Sequence, residues 1–281
     1  MEPEPEPGRQ QQAADAALDA LPDSGEHRAE KSGLRAMIKE MGTRPDNIAE
    51  YDDEADVLDP ALAEQDTAIR VPLGSPQEKE LLDEMRGHLA GTGLEDPQAD
   101  QFWLLACLRA RKFDAERGAT LFKRYMAWRV EFQVDELGHP SHPRMQEFFR
   151  LKVTRFTGGR DKVGRLIIQG TARNQRPDIF QPDDVLRGMH AILEAALRAH
   201  PDAQARGISM VYDVGGAGLS NMDPKLSKKL APAFSANLPI RIGRMNLVNP
   251  PWFIKILFPI FRSFMSKKLQ SRMRIVGAYE G

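Results

Sequence analysis

The chain of 281 residues is 41% hydrophobic and 28% charged, with a formal net charge of -1, which is an ordinary composition for a globular protein. Its single cysteine, Cys107, excludes an intramolecular disulfide bond and fits a reducing compartment. No apolar run reaches the roughly 20 residues that a membrane-spanning helix needs, and the N-terminus lacks the basic start and apolar core of a signal peptide. We therefore expect a cytoplasmic protein that reaches membranes only peripherally.

Residues 1–72 are predicted to form a mostly disordered acidic leader. They are rich in Pro, Gln, Ala and Glu, and they show no sustained apolar period. The pattern allows one short amphipathic helix around residues 34–41, to which we assign no chemistry.

Residues 73–150 are predicted to form a small helical lobe. One helix follows Pro76, a second spans about residues 99–111, and a third starts after Asp114, whose side chain is a good N-terminal cap. Cys107 lies in the apolar run of the second helix, so we interpret it as a buried thiol and not as a nucleophile.

Residues 151–281 are predicted to form an α/β domain in which strands alternate with helices. The predicted strands span residues 165–169, 208–214, 242–248 and 273–276. The predicted helices span residues 183–199, 224–237 and 252–265, and the last continues as a basic extension to Arg272. Pro232 and Pro259 stand inside two of these helices, and each is expected to kink or shorten its helix.

Charge is unevenly distributed in this second half of the chain. Residues 224–275 contain no Asp or Glu but eleven Lys and Arg. Such a one-sided region favours an anionic partner, either nucleic acid or a phospholipid surface. The aromatic residues there are embedded among Ile, Leu and Met, which suits lipid better than stacked bases. We therefore expect no nucleic-acid partner.

The segment 252–265 is the main indication of function. Its cations Lys255 and Arg262 share one narrow stripe with Ser266, and most of the other positions are apolar, with five aromatic side chains. A helix that is apolar nearly all round must bury both sides. It is either a central core helix or a lid, with its inner face on a bound lipid and its outer face available to a membrane. The basic tract 267–274 favours the lid, because cations near anionic lipid stabilise membrane docking.

Several short motifs occur in a defined order along the chain. They are the segment 108–114 (Leu-Arg-Ala-Arg-Lys-Phe-Asp), the turn 161–165 (Asp-Lys-Val-Gly-Arg), the strand 208–213, the segment 224–230 (Pro-Lys-Leu-Ser-Lys-Lys-Leu) and the segment 247–252 (Leu-Val-Asn-Pro-Pro-Trp). In this order and spacing, residues 100–277 resemble the CRAL-TRIO lipid-binding family. The chain is most similar to the branch of the clavesins, retinaldehyde-binding protein and α-tocopherol transfer protein.

The resemblance implies an α/β CRAL-TRIO fold with an all-helical N-terminal lobe, residues 73–150, and a lipid-binding domain, residues 151–281. A mobile gate helix closes an apolar pocket in this fold, and residues 252–272 match the gate. The positions that match the pocket lining are Leu186, Met189, Leu193, Met210, Tyr212, Leu230, Phe234, Leu238, Met245, Phe253, Leu257 and Phe261. Tyr212 offers a polar tip to a ligand head group. Core packing would explain most of these residues equally well one by one.

The resemblance also implies a phosphoinositide site. Basic residues beside the gate bind a phosphoinositide head group in the tocopherol-transfer branch, and the matching positions are Arg111, Arg241, Lys268 and Arg272. Lys268 and Arg272 are four apart, so on one helix they share a face and fit a bisphosphate. The alternative is a solvated basic face. We expect head-group binding to favour the open gate.

The predicted function is lipid binding and transfer without catalysis, metal or cofactor. The expected ligand is a retinoid, tocopherol or phospholipid, exchanged at phosphoinositide-containing membranes such as endosomal or trans-Golgi ones. The alternative is a non-transferring phosphoinositide-binding adaptor. A nucleotide-binding enzyme is disfavoured, because the glycine-rich run 214–218 lacks the full G-x-G-x-x-G spacing, and we interpret His190 and Glu194 as structural. Family members continue beyond the position of Gly281, which leads us to expect a truncated C-terminus.

Overall fold

The computed structural model describes residues 9–20, 25–42, 69, 71–94 and 101–277. These residues form a sheet of five strands, which lie side by side in chain order. The strands are β1 (Thr154–Arg160), β2 (Leu166–Thr171), β3 (Ile208–Asp213), β4 (Ile242–Val248) and β5 (Met273–Ile275). β1 pairs with β2 in the antiparallel sense, whereas β2 to β5 are parallel to one another.

Helices precede the sheet and connect its parallel strands. Before β1 come α1 (Arg9–Asp19), α2 (Gly25–Met41), α3 (Pro76–Gly87), α4 (Gln101–Ala110), α5 (Ala115–Glu131), α6 (Val134–Leu137) and α7 (Pro143–Leu151). The connections contain α8 (Pro182–Ala199) and α9 (Asp202–Arg206), then α10 (Pro224–Pro232), then α11 (Ile254–Ser263) and α12 (Lys267–Ser271). The predicted α/β alternation is confirmed. Among these helices none has both the length and the apolar character that crossing a membrane requires.

The turn of residues 161–165 joins β1 to β2 as a hairpin. Asp161 N–H donates to the carbonyl oxygen of Arg165 at 2.9 Å, and Asp161 Oδ1 accepts from the N–H of Arg165 at 2.9 Å. Gly164 has a φ of 87°, a left-handed conformation that other residues rarely adopt. β1 was not predicted from the sequence, because this strand is largely exposed and shows little apolar alternation.

The helical lobe forms around the capping residues. Ser75 caps α3, with its Oγ accepting from Glu78 N–H at 3.2 Å. Asp114 caps α5, with its Oδ1 accepting from Arg117 N–H at 2.9 Å. α3 packs against both α4 and α5, and the three predicted helices of this lobe are confirmed.

A buried ion pair inside this lobe is connected to the sheet domain through Arg109. Glu78 on α3 and Arg109 on α4 are 3% and 6% exposed, and Arg109 Nε and Nη2 donate to the two carboxylate oxygens at 2.7 and 2.8 Å. Arg109 Nη1 also donates to Gln204 Oε1 on α9 at 2.7 Å. Burial alone would raise the pKa of Glu78, but the hydrogen bonds from Arg109 and from Gly74 N–H hold it below its usual value.

Pro232 divides the helix predicted over residues 224–237. α10 ends at Pro232, and one turn of π-helix follows at Ala233–Asn237. Proline has no N–H to donate to the carbonyl group four residues earlier, so regular α-helical bonding ends there. The predicted effect of Pro232 is confirmed.

The gate and its basic extension are two helices. α11 ends at Ser263, and Ser266 begins α12 as its N-cap, with its Oγ accepting from Leu269 N–H at 3.3 Å. The expectation that the extension continues the gate helix to Arg272 is therefore wrong. A serine side chain that accepts a backbone N–H favours a new helix start over a continued helix.

The prediction of a mostly disordered leader is wrong where the structure describes that segment. α1 and α2 are helices, and Leu18, Leu34, Ile38 and Met41 are buried in the apolar core. α1 packs on α11, and α2 packs on α10 and α11. Tertiary packing of this kind stabilises helices that local propensity alone does not. Residues 1–8, 21–24, 43–68 and 70 lie outside the described residues.

Candidate functional site

Two cavities adjoin the side chain of Phe234 in the π turn. One is about 140 Å³ in volume and mostly apolar, and we call it the apolar cavity. The other is about 340 Å³ and lined by many cations, and we call it the basic cavity. Phe234 lines both cavities.

The apolar cavity lies between the sheet and the helices α8, α10 and α11. The predicted lining residues found around it are Met189, Met210, Tyr212, Leu230, Phe234, Met245, Leu257 and Phe261. They come from α8, β3, α10, the π turn, β4 and α11, so the fold brings together residues that are far apart in the sequence.

Four predicted lining residues, Leu186, Leu193, Leu238 and Phe253, pack in the core away from this cavity. Leu186 and Leu193 share α8 with Met189, but they lie about 4.5 and 6 Å from it along the helix axis. A small cavity contacts only the turn of α8 around Met189. Its neighbours on the same stripe therefore contact core side chains instead.

The helical period of α11 explains a further difference. The α11 side chains that face the cavity are Ile254, Leu257, Phe258 and Phe261. Their i, i+3, i+4, i+7 spacing is one stripe of an α-helix. Phe253 precedes the first turn and is 4% exposed in the core. Leu238 follows the π turn, where its N–H donates to the carbonyl oxygen of Ala233 at 2.9 Å.

One wall of the apolar cavity was not predicted from the sequence. Met37 and Met41 on α2 line it. Leu34, Ile38 and Met41 stand at helical spacing, and this signal marked a buried stripe within the segment that we predicted to be mostly disordered. Nothing in the sequence indicates that the stripe packs on α10 and α11.

Tyr212 and Gln175 place polar groups in the apolar cavity. Gln175 Nε2 donates to Tyr212 Oη, and burial raises the pKa of Tyr212, so its hydroxyl stays protonated. Gly170 pairs with Tyr212 in the parallel ladder, and a Cβ atom at Gly170 would stand 2.2 Å from the Tyr212 ring. The ring therefore occupies the space that a side chain at this position would fill.

The basic cavity brings together all four residues that we predicted to bind a head group. Arg111 comes from the end of α4, Arg241 from the start of β4, and Lys268 and Arg272 from α12 and its C-cap. Three further cations that line this cavity, Lys112, Arg117 and Arg124, were not predicted from the sequence. Among the described residues that line this cavity, none is Asp or Glu. The arrangement is suited to an anion that carries more than one negative charge.

A turn in the left-handed region positions the cations that follow α4. Lys112 and Phe113 have φ values of 57° and 67°, which are uncommon for residues with a side chain. The turn is held by the N–H of Phe113, which donates to the carbonyl oxygen of Leu108 at 2.9 Å, and by burial of the Phe113 ring. This conformation places Arg111 and Lys112 at the basic cavity.

The π turn joins the two cavities to α12. Ser266 N–H donates to Ser235 Oγ at 3.2 Å, next to Phe234 in the chain. Because Ser266 also caps α12, the side chain shared by both cavities is connected to the helix that carries Lys268.

Other residues singled out in the sequence belong to the core. His190 is 3% exposed, and its Nε2 lies 2.7 Å from Tyr125 Oη. Cys107 is fully buried, and burial raises the pKa of its thiol, so its interpretation as a buried thiol is confirmed. The described parts of the chain contain no group of three or more His, Cys, Asp or Glu that could hold a metal ion.

Comparison with known proteins relates this arrangement to one family. Residues 152–280 match the model of the CRAL/TRIO domain. The crystal structure of Sfh5 is similar with a TM-score of 0.54 and 14% identity, covering 73% of this chain and 82% of the Sfh5 chain. At this identity the likeness shows the fold alone.

Curated relatives match part of their own length. Clavesin-2 from Homo sapiens is 27% identical over 192 residues, which cover 64% of this chain and 56% of clavesin-2. Clavesin-1 from Rattus norvegicus is 25% identical over 193 residues, 64% of this chain and 52% of that protein. Tyrosine-protein phosphatase non-receptor type 9 from Homo sapiens is 27% identical over 173 residues, 62% of this chain but 29% of the phosphatase. The chain thus spans about half the length of the clavesins and less of the phosphatase.

Proposed function

We propose that the chain holds a small hydrophobic lipid and exchanges it at phosphoinositide-containing membranes, because residues 152–280 match the CRAL/TRIO domain, whose family consists of lipid-binding proteins. The observation that carries this proposal is the pair of cavities that share Phe234. The hydrocarbon part of a lipid fits the apolar cavity, and an anionic head group in a membrane fits the basic one.

The lining of the apolar cavity supports a retinoid, tocopherol or phospholipid ligand. Met189, Met210 and Met245 provide flexible apolar surface that adapts to the shape of a hydrocarbon chain. Tyr212 and Gln175 provide polar groups that orient a hydroxyl, carbonyl or ester.

The lining of the basic cavity supports a phosphoinositide head group. Its seven cations come from α4, α5, β4 and α12 and the turns beside them, so they surround the space from several directions. Charge-assisted hydrogen bonds to phosphate are stronger than neutral ones, and each cation near an anionic lipid surface contributes about 1 kcal/mol. The protein then binds membranes peripherally, through this cavity and the adjoining gate.

Head-group binding at Lys268 and Arg272 favours the open gate in this proposal. α12 connects to the π turn through the hydrogen bond from Ser266 N–H to Ser235 Oγ, and the π turn carries Phe234 into the apolar cavity. An anion that shifts α12 therefore displaces a wall of the lipid site. By linkage, the lipid ligand alters head-group affinity by the same factor.

Native mass spectrometry and a vesicle transfer assay test the proposal on the full-length protein. We expect a co-purifying lipid in the mass spectrum and transfer of retinol, α-tocopherol or NBD-phosphatidylcholine between vesicles. Transfer should be faster to acceptor vesicles that contain a phosphatidylinositol bisphosphate than to vesicles of equal charge made with phosphatidylserine. Absence of both a bound lipid and transfer would overturn the proposal, and equal rates to the two vesicle types would remove its phosphoinositide part.

One observation favours a second candidate function, a phosphoinositide-binding adaptor without lipid transfer. The apolar cavity of about 140 Å³ is smaller than the roughly 300–1,000 Å³ of typical small-molecule sites. An adaptor would bind phosphoinositide vesicles in a flotation assay while carrying no lipid in the native mass spectrum.

A further inference from the structure

The helices α1 and α2, which we call the N-terminal helix pair, cover the gate helix and part of the apolar cavity. α1 packs on α11, whereas α2 packs on both α10 and α11. The buried apolar side chains of the pair are Ala14, Leu18, Leu34, Ile38 and Met41. The pair is thus docked on the two helices that close the cavity.

Two side chains of the pair reach the cavity itself. Met37 and Met41 line it together with Phe258 and Phe261 from the gate. Met41 is 3% exposed, and Met37 is half-buried against the core. The pair therefore provides a wall of the lipid site as well as a cover for the gate.

Among the described residues of the pair, the buried side chains are apolar except for Lys31, which is 7% exposed. Lys225 Nζ lies 3.9 Å from Glu40 Oε1, and both side chains are well exposed. Exposed ion pairs of this kind contribute little to stability. Within the pair, Gln11 Nε2 donates to the carbonyl oxygen of Ile38 at 3.0 Å, so the two helices are joined to each other.

The small volume of the apolar cavity requires a wall to move when a lipid enters. The sheet side of the cavity is fixed by the parallel pairing of β3 with β4, including Met210 with Met245. By contrast, α2 and α11 each have an outer face in solvent, as the exposed side chains of Ala36 and Lys255 show. The pair and the gate are therefore the walls with room to move outward.

The N-terminal helix pair packs on the same surface of the gate helix α11 that the gate would place against a membrane. Among the described residues, the large apolar side chains left exposed are Val130, Val163, Ile275 and Val276, none of which belongs to α11. The exposed side chains of α11 are Lys255, Pro259 and Arg262. A gate that places apolar side chains in a membrane must first separate from α1.

We propose that the N-terminal helix pair is a second lid, whose Met37 and Met41 contact the bound lipid and which must leave the gate before lipid is exchanged at a membrane. This inference rests on the proposed function. It assigns a ligand-contacting role to residues that precede the CRAL/TRIO match at 152–280. In this inference, the N-terminal helix pair and the membrane compete for the apolar surface of the gate.

A full-length variant that weakens the docking of the pair tests the inference. Leu34→Asp/Ile38→Asp places two charges on the buried stripe of α2. Ser32→Asp/Ala36→Asp adds the same charges to exposed positions of the same helix and is the matched control. The probe is whichever of retinol, α-tocopherol and NBD-phosphatidylcholine the unaltered protein binds, and the readouts are its release rate and the binding of protein to phosphoinositide vesicles.

We expect the buried-stripe variant to release the probe about tenfold faster or more and to bind vesicles better, because loss of a wall acts mainly on dissociation. The control should behave like the unaltered protein. Hydrogen exchange in β3 and β4 reports that the sheet is intact, and exchange in α2 reports that the pair has left. Unchanged release with an exposed α2 and an intact sheet would overturn the inference while leaving the proposed function standing. An unaltered protein that binds no probe would overturn both.

A measurement without substitution tests the contact directly. A diazirine-bearing fatty acid or phosphatidylcholine is loaded into the unaltered full-length protein and activated by light. We expect cross-links within residues 37–41 as well as on the gate. Efficient cross-links to α11 and β3 with none on α2 would contradict the lipid contact of Met37 and Met41.

Discussion

At the scale of single residues, His190 on α8 lies close to the rings of Trp103, Tyr125 and Trp128 in the helical lobe. Burial, and to a lesser extent the positive charge of Arg129, lowers the pKa of His190 to about 3. The ordinary pKa of histidine is about 6.5, so the folded protein holds a neutral imidazole under conditions in which the unfolded chain binds a proton.

We expect the free energy of unfolding to fall as the pH is lowered from about 6.5 toward 3, since only the unfolded chain takes up a proton at His190 over that interval. The loss is at most about 1.4 kcal/mol per pH unit for this one group. Urea unfolding of His190→Gln should show a flatter pH dependence between pH 6 and 4 than the unaltered protein. The exposed His88→Gln is the control, and an equal slope in all three proteins would contradict this explanation.

The position of a residue relative to the cavity was predictable from the sequence where a helical face or the direction of a strand determines it. Met210 and Tyr212 lie beside the apolar cavity because β3 sets their direction, and their role in binding a ligand stays a prediction. Leu186 and Leu193 do not line this cavity, because the sequence indicated their stripe on α8 but not the volume of the cavity. Because the volume of a cavity depends on all of its walls together, it cannot be derived from a single sequence.

At the scale of secondary-structure elements, α12 and its C-cap carry two of the predicted head-group residues, and the helix starts at its own N-cap, Ser266. Lys268→Ala/Arg272→Ala should reduce binding to phosphoinositide vesicles roughly ten- to thirtyfold, at about 1 kcal/mol per cation, and abolish the preference over phosphatidylserine vesicles. Lys162→Ala/Arg176→Ala removes the same charge from exposed positions outside the basic cavity. Liposome flotation measures both, and an undiminished phosphoinositide preference in the first variant would contradict the assignment.

The elements that were predicted correctly are those whose signals are local. α5 follows its Asp114 cap, and α10 ends at Pro232, because capping and the missing proline N–H act within a turn. α1 and α2 were not predicted as packed helices because their stability comes from α10 and α11, about two hundred residues later in the chain. The resemblance to the CRAL-TRIO family, noted from motifs in the later part of the chain, is confirmed.

At the scale of the whole molecule, the basic cavity lies where the helical lobe meets the sheet domain. Arg117 and Arg124 approach it from α5, and Arg241 and Lys268 approach it from the other side. The network of Glu78, Arg109 and Gln204 crosses the same boundary. The division into residues 73–150 and 151–281 therefore stays a prediction, since a buried hydrogen bond from Arg109 to Gln204 and a shared cavity connect the two parts.

A soluble inositol bisphosphate should raise the melting temperature of the full-length protein, because it binds cations from both parts of the folded state. At a concentration a hundredfold above Kd, the stabilisation is about 2.7 kcal/mol, and the melting temperature rises by several degrees. The rise should shrink as salt is added, since screening weakens these contacts. Neutral myo-inositol is the control in differential scanning fluorimetry, and an equal effect of the two compounds would contradict charge recognition at the basic cavity.

The burial of Cys107 has a practical consequence for following these motions. It is the single cysteine of the chain, fully buried in α4, and the raised pKa of its thiol suppresses the reactive thiolate. A cysteine introduced at an exposed position such as Lys255 on the gate would therefore be the only thiol that reacts with a maleimide dye in the folded protein. A reporter of gate position can thus be attached to a chain that keeps its native cysteine.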